Sequence, residues 1–324
     1  MAIIRDNIGT KSNYQNKNAI IVYIDDKEKC IEEFSWLWKS WLMWDINKGW
    51  DLVAFTNPTI METIEKRFKH NDLHLLPMDS DAVKGTEWEG YGFVNSFSMF
   101  SNLTYDKLLK EKYEYILKTD CDTFLTKNFK GIKLDHTKLH VGIGLYYPIG
   151  QSIEWLDLVR NKITTISKAM NLKYNNITNV GASILGPSEA ISNICKLQKK
   201  VTSTLLKYGW KDGDTGTWPG WWKGTASMYA GEIAVNHFLL PMNIVKGNID
   251  IYCTKNKITS TDLHIHAWQV ENSELLFNKR LFHKGESPKV KTSYNIESTG
   301  EYCYMVATHD LVELKIFASK LNFC

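Results

Sequence analysis

The run NAIIVYI, residues 18–24, is apolar and rich in β-branched residues. A run of this kind, without polar alternation, predicts a strand buried on both faces. The pattern returns in DLVAFT (51–56), stopped by Asn57-Pro58, and in LHLLPM (73–78). Residues 28–46 and 59–70, between these runs, carry apolar residues at helical spacing. Strands joined through helices run parallel, because a tight turn cannot connect them. The alternation therefore predicts an α/β fold with a mostly parallel central sheet flanked by helices. It continues with a mostly helical 92–112, then strands in YEYILKT (113–119), HVGIGLYY (140–147) and NVGASILG (179–186). A helix is expected around 152–171, and another over 187–209 with Pro187 at its start. Residues 228–240 read as a helix, 262–270 as a strand and 306–321 as a helix. We expect a polar lead-in over 1–17, one domain over 18–287, and a C-terminal extension over 288–324 that packs back on the domain.

Composition narrows the function. With 324 residues and 44% apolar content, the chain can bury one large core. A net charge of +3 is too small for a protein whose main work is neutralising nucleic-acid phosphates. No stretch is long and apolar enough to span a membrane, and MAIIRDNIGTKSNYQNKN lacks the apolar core of a signal peptide. A cytoplasmic setting is expected, with all six cysteines reduced. None of them forms a CxxC pair, which argues against a zinc knuckle. Twelve tryptophans form two main groups. Those in EEFSWLWKSWLMWDI recur at helical spacing and read as core. Those in GWKDGDTGTWPGWWKGT sit in a glycine-rich loop.

The fourth strand ends in two like charges, Asp120 and Asp122. D-x-D occurs three times in the chain, so the pattern alone decides little. Asp79/Asp81 lie in a turn beside Pro77, and Asp212/Asp214 lie in the glycine-rich loop. Asp120/Asp122 alone follow a strand deep in the α/β pattern, where open sheets bind ligands. A hard cation, Mn²⁺ or Mg²⁺, would remove the repulsion between them. The plain alternative is a solvated strand end with capping aspartates. His264 and His266 in DLHIHAWQV fall on one strand face. An imidazole in the shell favours Mn²⁺, whereas an isolated H-x-H is more often structural. Lys279, Arg280 and Lys284 follow in FNKRLFHKGESPKVK, where they can neutralise a diphosphate or simply face solvent.

Taken in order, FSWLWKSW, KTDCDTFLT, YAGEIAVNH and HIHAW resemble the nucleotide-sugar glycosyltransferases of the GT-A fold. They resemble most an uncharacterised glycosyltransferase-like set from algae and large algal viruses. The likeness covers roughly residues 18–285. It implies a Rossmann-like sheet and transfer of a sugar from a nucleoside-diphosphate donor, UDP ahead of GDP. The acceptor would be a hydroxyl of a glycan or glycoprotein. By this resemblance Asp120, Asp122 and His266, or His264, hold the metal. Tyr23, Ile24, Lys118, Asp120, Lys279 and Lys284 would face the donor. Glu232 and Asn236, at i and i+4 of a helix, would lie beneath the transferred sugar, implying retention of the anomeric configuration. A glutamate favoured by a helix N-terminus is the plain alternative for Glu232. Trp218, Trp221 and Trp222 would form an acceptor platform, or pack in the core.

Two other readings fit less well. A haloacid-dehalogenase phosphatase also places D-x-D after a strand, but that motif ends the first strand and carries threonine or valine two residues on. Here three strands precede the motif and Phe124 takes that place. A non-catalytic carbohydrate-binding protein would have no need of the acids, the histidines and Glu232 together.

Overall fold

The computed structural model describes residues 16–144, 146, 153–211, 213–218, 220–238, 242–253, 257–267, 277–286, 296 and 298–320. Its strands are β1 (Asn18–Ile24), β2 (Asp51–Thr56), β3 (Leu73–Pro77), β4 (Tyr115–Lys118), β5 (Thr123–Leu125), β6 (Lys138–Ile143), β7 (Val180–Pro187), β8 (Asn243–Lys246), β9 (Ile251–Tyr252) and β10 (His264–His266). The longer helices are α1 (Glu28–Met43), α2 (Met61–Arg67), α3 (Leu103–Lys112), α4 (Ile153–Ala169), α5 (Ser188–Tyr208) and α6 (Ala226–Phe238). They are followed by α7 (Lys279–His283), α8 (Thr299–Thr308) and α9 (Leu311–Lys320).

Seven strands form the central sheet in the order β3-β2-β1-β4-β7-β6-β8. β7 is antiparallel to both neighbours, and every other pair in the sheet is parallel. A small sheet, β5-β10-β9, stands beside it. The expected α/β architecture is therefore present. All six residues of β2 and six of seven in β1 are buried, as their unbroken apolar runs require. The core has two layers, one on each sheet face. Trp36, Trp41 and Trp44 of the first tryptophan group lie in one layer with the inward residues of β1 and β2. Trp36 stacks on Phe124 of β5 at 5.4 Å, which fixes α1 against the segment that follows Asp122.

The closing segment differs from the single helix expected over 306–321. Two helices, α8 and α9, meet at His309 and Asp310, where His309 is extended. Tyr302, Cys303, Met305, Val306 and Leu314 join the α1 layer. Tyr302 accepts a hydrogen bond from Trp44 Nε1 (2.8 Å) and donates to the Leu125 carbonyl. β7 runs over Val180–Pro187, one residue later at each end than the expected 179–186, whereas residues 268–270 of the expected 262–270 strand lie outside the described residues. Among the described residues, no helix is long and apolar enough to cross a membrane.

Candidate active site

β4 ends beside β1, with Lys118 paired to Ile21, and the Thr119 N–H still bonds to the Ile21 carbonyl (3.0 Å). The chain then turns away from the large sheet to start β5. Thr123 Oγ1 closes that turn by donating to the Asp120 carbonyl (2.9 Å). β10 pairs antiparallel with β5, setting His266 opposite Thr123. The Ala267 N–H donates to the Asp122 carbonyl (2.9 Å). The small sheet thus brings the late histidine strand onto the early acid turn.

Side chains of Asp120, Asp122 and His266 converge there, with one candidate ligand atom from each within 4.8 Å of the others. His266 Nε2 lies 3.2 Å from Asp122 Oδ1, and its Nδ1 lies 3.2 Å from Asp250 Oδ1. Lys279 donates to the other oxygen of Asp122. Asp120 is more open, and Lys118 Nζ lies 3.6 Å from it while donating to the Ala182 carbonyl (3.0 Å). Burial opposes charge on Asp122, yet Lys279 and His266 outweigh it and hold the carboxyl well below the usual range. Burial likewise opposes charge on His266, but Asp122 and Asp250 raise its pKa to about 10. Two carboxylates and an imidazole suit a cation such as Mn²⁺. The residues present therefore fit the metal that the sequence resemblance implies.

Asp250 escapes sequence reasoning, yet it organises this site. It is fully buried, with φ +50°. Its carboxylate accepts from the Ser183 N–H (2.8 Å) and Ser183 Oγ (2.6 Å) as well as from His266. That contact orients the His266 ring and holds a proton on Nδ1, so Nε2, whose proton a cation would displace, is the nitrogen on the side of Asp122. Gly142 and Gly181 make room for it. A Cβ on either would lie 1.8 or 2.4 Å from Asp250 Oδ2. Nothing in GNIDIY marks this aspartate; the glycines in HVGIG and NVGAS were the available trace.

His264 has a different part. The Asp250 N–H donates to His264 Nδ1 (3.1 Å), so the ring proton sits on Nε2 and points to Thr119 Oγ1 (2.9 Å). Thr119 continues to Ser183 Oγ (2.9 Å), and Ser183 to Asp250. Burial pushes the His264 pKa down to about 4 and keeps the ring neutral. Both ring nitrogens are engaged, and His264 stands outside the Asp120–Asp122–His266 group.

Residues 12–316 match the family model described as "Domain of unknown function (DUF7164)". The chain belongs to this family. No curated protein matches the DUF7164 chain. Among solved structures it is similar to a glycosyltransferase involved in the glycosylation of the major capsid of PBCV-1, at 11% identity and a TM-score of 0.36, over 78% of this chain and 94% of that one. It is also similar to core-mannan synthase A from Aspergillus fumigatus in its Mn/GDP form, at 10% identity and a TM-score of 0.42, over 80% and 76%. A third is the galactosyltransferase LgtC in complex with donor and acceptor sugar analogs, at 11% identity and 0.40, over 84% and 97%.

Elsewhere in the DUF7164 chain the expected site residues separate. Tyr23 is buried, and Ile24 is fully buried with its carbonyl taken by Thr56 Oγ1 (3.0 Å). Lys284 is exposed at the C-terminal end of α7, beyond Lys279. Glu232 and Asn236 share a face of α6, as their spacing predicts, but both are fully buried. Glu232 accepts from the hydroxyls of Tyr146 and Tyr174 (2.6 Å for the latter) and from the Asn179 N–H. Asn236 Oδ1 accepts from the N–H groups of Asn175 (2.8 Å) and Ile177 (2.9 Å), and its Nδ2 donates to the Ile177 carbonyl (2.8 Å). Together they fasten the 172–179 loop, bonding that belongs to a clamp.

The second tryptophan group divides as well. Trp221 is buried between Trp210 (5.0 Å) and Tyr229 (4.5 Å), stacked on both. Trp218 and Trp222 are exposed, at 48% and 36%. Trp222 lines a groove of about 590 Å³ with Glu87, Glu89, Tyr91, Ser203 and Lys207. Its ring folds back over Gly224, where a Cβ would lie 2.4 Å from it. α5 starts at the amino end of β4, since Pro187 pairs with Tyr115, and packs against β4 and β7. Its roughly 30 Å length returns Ser203 and Lys207 towards the carboxyl end, where Asp120 stands. The groove shares no lining residue with the acid group.

Proposed function

We propose that the protein is a metal-dependent glycosyltransferase of the GT-A type, using a nucleoside-diphosphate sugar with UDP preferred over GDP. The observation that carries this is the meeting of Asp120, Asp122 and His266 at the carboxyl end of β4, with Asp250 fixing the imidazole. Asp120, Asp122 and His266 would hold the cation, Mn²⁺ ahead of Mg²⁺. When bound, that cation supplies a Lewis acid for the departing diphosphate. Lys118 and Lys279 place fixed positive charge beside the same carboxylates, where it complements negative charge on the leaving group. Glu232 receives no catalytic part here. The expectation of retention leaned on it, and the anomeric proton of the product reads the stereochemistry directly.

Calorimetry with UDP or GDP and Mn²⁺ tests this reading. We expect Asp120→Ala and His266→Ala to weaken metal-dependent binding at least tenfold. Asp122→Ala should abolish it. His264→Ala should lower the melting temperature while the folded fraction still binds. Unchanged affinity in both Asp120→Ala and His266→Ala ends the metal assignment.

The acceptor, a hydroxyl of a glycan or glycoprotein, would lie in the Trp222 groove. Sugars stack C–H faces on exposed rings, and Glu87 and Glu89 offer acceptors for their hydroxyls. Trp222→Ala should raise the acceptor KM several-fold and leave donor affinity unchanged. An unaltered KM would move the acceptor elsewhere.

A further inference from the structure

Cys121 sits between the two acids, and Cys30 lies in the first turn of α1. Both are free thiols and only partly buried, unlike the buried Cys195, Cys253 and Cys303. Their sulfurs and a carboxylate oxygen of Glu33 lie within 4.8 Å of one another. The Cys121 S–H points to Glu33 Oε2 (3.7 Å), and His283 Nε2 lies 2.9 Å from Glu33 Oε1 and holds that carboxylate in place. Cys30 faces the positive end of a sixteen-residue helix, which favours a nucleophilic sulfur. Two partly open thiols from distant segments thus have their sulfurs within 4.8 Å of each other, near enough to place a bond between them in question.

We propose that Cys30 and Cys121 form an oxidation site, a dithiol that a peroxide closes into a disulfide. In the first step the Cys30 sulfur attacks one oxygen of hydrogen peroxide, the O–O bond breaks, and the sulfur becomes a sulfenic acid as one water leaves. In the second step the Cys121 sulfur attacks the sulfenic sulfur, the S–O bond breaks, and the second water leaves as the sulfenic hydroxyl together with the Cys121 thiol proton. Two electrons pass from the thiols to the peroxide, and a thiol reductant reverses the change. The bond would tie the acid turn to α1. Cys121 would then give up its contact with Glu33, and the backbone flanking Asp120 and Asp122 would be repositioned.

The test treats the full chain with equimolar hydrogen peroxide in the presence of a chelator, so that no thiol-bound metal interferes. Unreacted thiols are alkylated, and the protein is digested without reduction. We expect an intact mass lower by about 2 Da when read before alkylation, a cross-linked peptide pair containing Cys30 and Cys121, and its loss on adding dithiothreitol. In Cys121→Ser the link should vanish and Cys30 should be trapped by a sulfenic-acid reagent; in Cys30→Ser the link should vanish and Cys121 should remain an alkylatable thiol. Wild-type chain with both cysteines alkylated after peroxide, or linked only to other cysteines, overturns the proposal. The readout needs neither metal nor sugar. A chain that forms the link but binds no Mn²⁺ keeps this site and loses the metal reading.

Discussion

Glu232 looks catalytic in sequence and behaves as a clamp in space. Donors among the described residues, Tyr146, Tyr174 and the Asn179 amide, meet a carboxylate with no exposed surface. Hydrogen bonds to a buried charge contribute about 1.5–3 kcal/mol each, and an amide in its place turns an NH₂ towards one of these donors. Glu232→Gln should therefore cost about 3 kcal/mol in denaturant unfolding, with the turnover of the folded fraction retained. A variant that melts like wild type and turns over nothing would restore the catalytic role. The i, i+4 spacing of Glu232 and Asn236 was legible because helical periodicity reports a shared face; it says nothing about what that face meets. Asp250 is the converse case. Its importance arises from Ser183, His264 and His266, which reach it through folding alone, so no local pattern announces it.

At the scale of elements, legibility followed burial and length. β1 and β2 appear with their expected limits because an unbroken apolar run permits few other structures. β5, β9 and β10 have two or three residues each, too few to display a period, and β5 and β9 are visible only through pairing with β10. The break between α8 and α9 carries its own titration. Lys39 of α1 donates to the Ala307 and His309 carbonyls (3.0 and 3.1 Å), capping the end of α8. Burial lowers its pKa to about 8 from 10.5, with Arg67 adding to the effect while Glu32 and Asp310 oppose it. The folded pKa is the lower one, so between pH 8 and 10.5 the unfolded chain binds more protons. Stability should rise with pH across that window and be flat just below it, as far as Lys39 contributes. The neutral amine still donates to both carbonyls. Denaturant melts at pH 7.5 and 9.5 should show the gain in wild type, and Lys39→Met should remove it. Equal gains in both proteins would refute the assignment.

Over the whole molecule, α8 and α9 complete the α1 core layer rather than decorate it. Tyr302 is fully buried, bridging Trp44 and Leu125, and Cys303, Met305, Val306 and Leu314 lie beside it. A chain ending at residue 297 uncovers that layer, and we expect it to melt at least 10 °C lower or to aggregate. Retention of the wild-type melting temperature would show that the segment is dispensable. The acid site is built from distant parts of the same chain: Asp122 belongs to the first half, while Lys279 stands 157 residues later. During synthesis at about 5–20 residues per second, the ribosome therefore releases Asp122 roughly 8–30 s before the lysine that neutralises it. β1 to β4 can already pair in that interval, while the acid turn still lacks β10 and its countercharge. The protein is thus born with most of its sheet and without its site, and a ribosome stalled before residue 279 would display a nascent chain bearing an acid turn that has yet to meet its lysine.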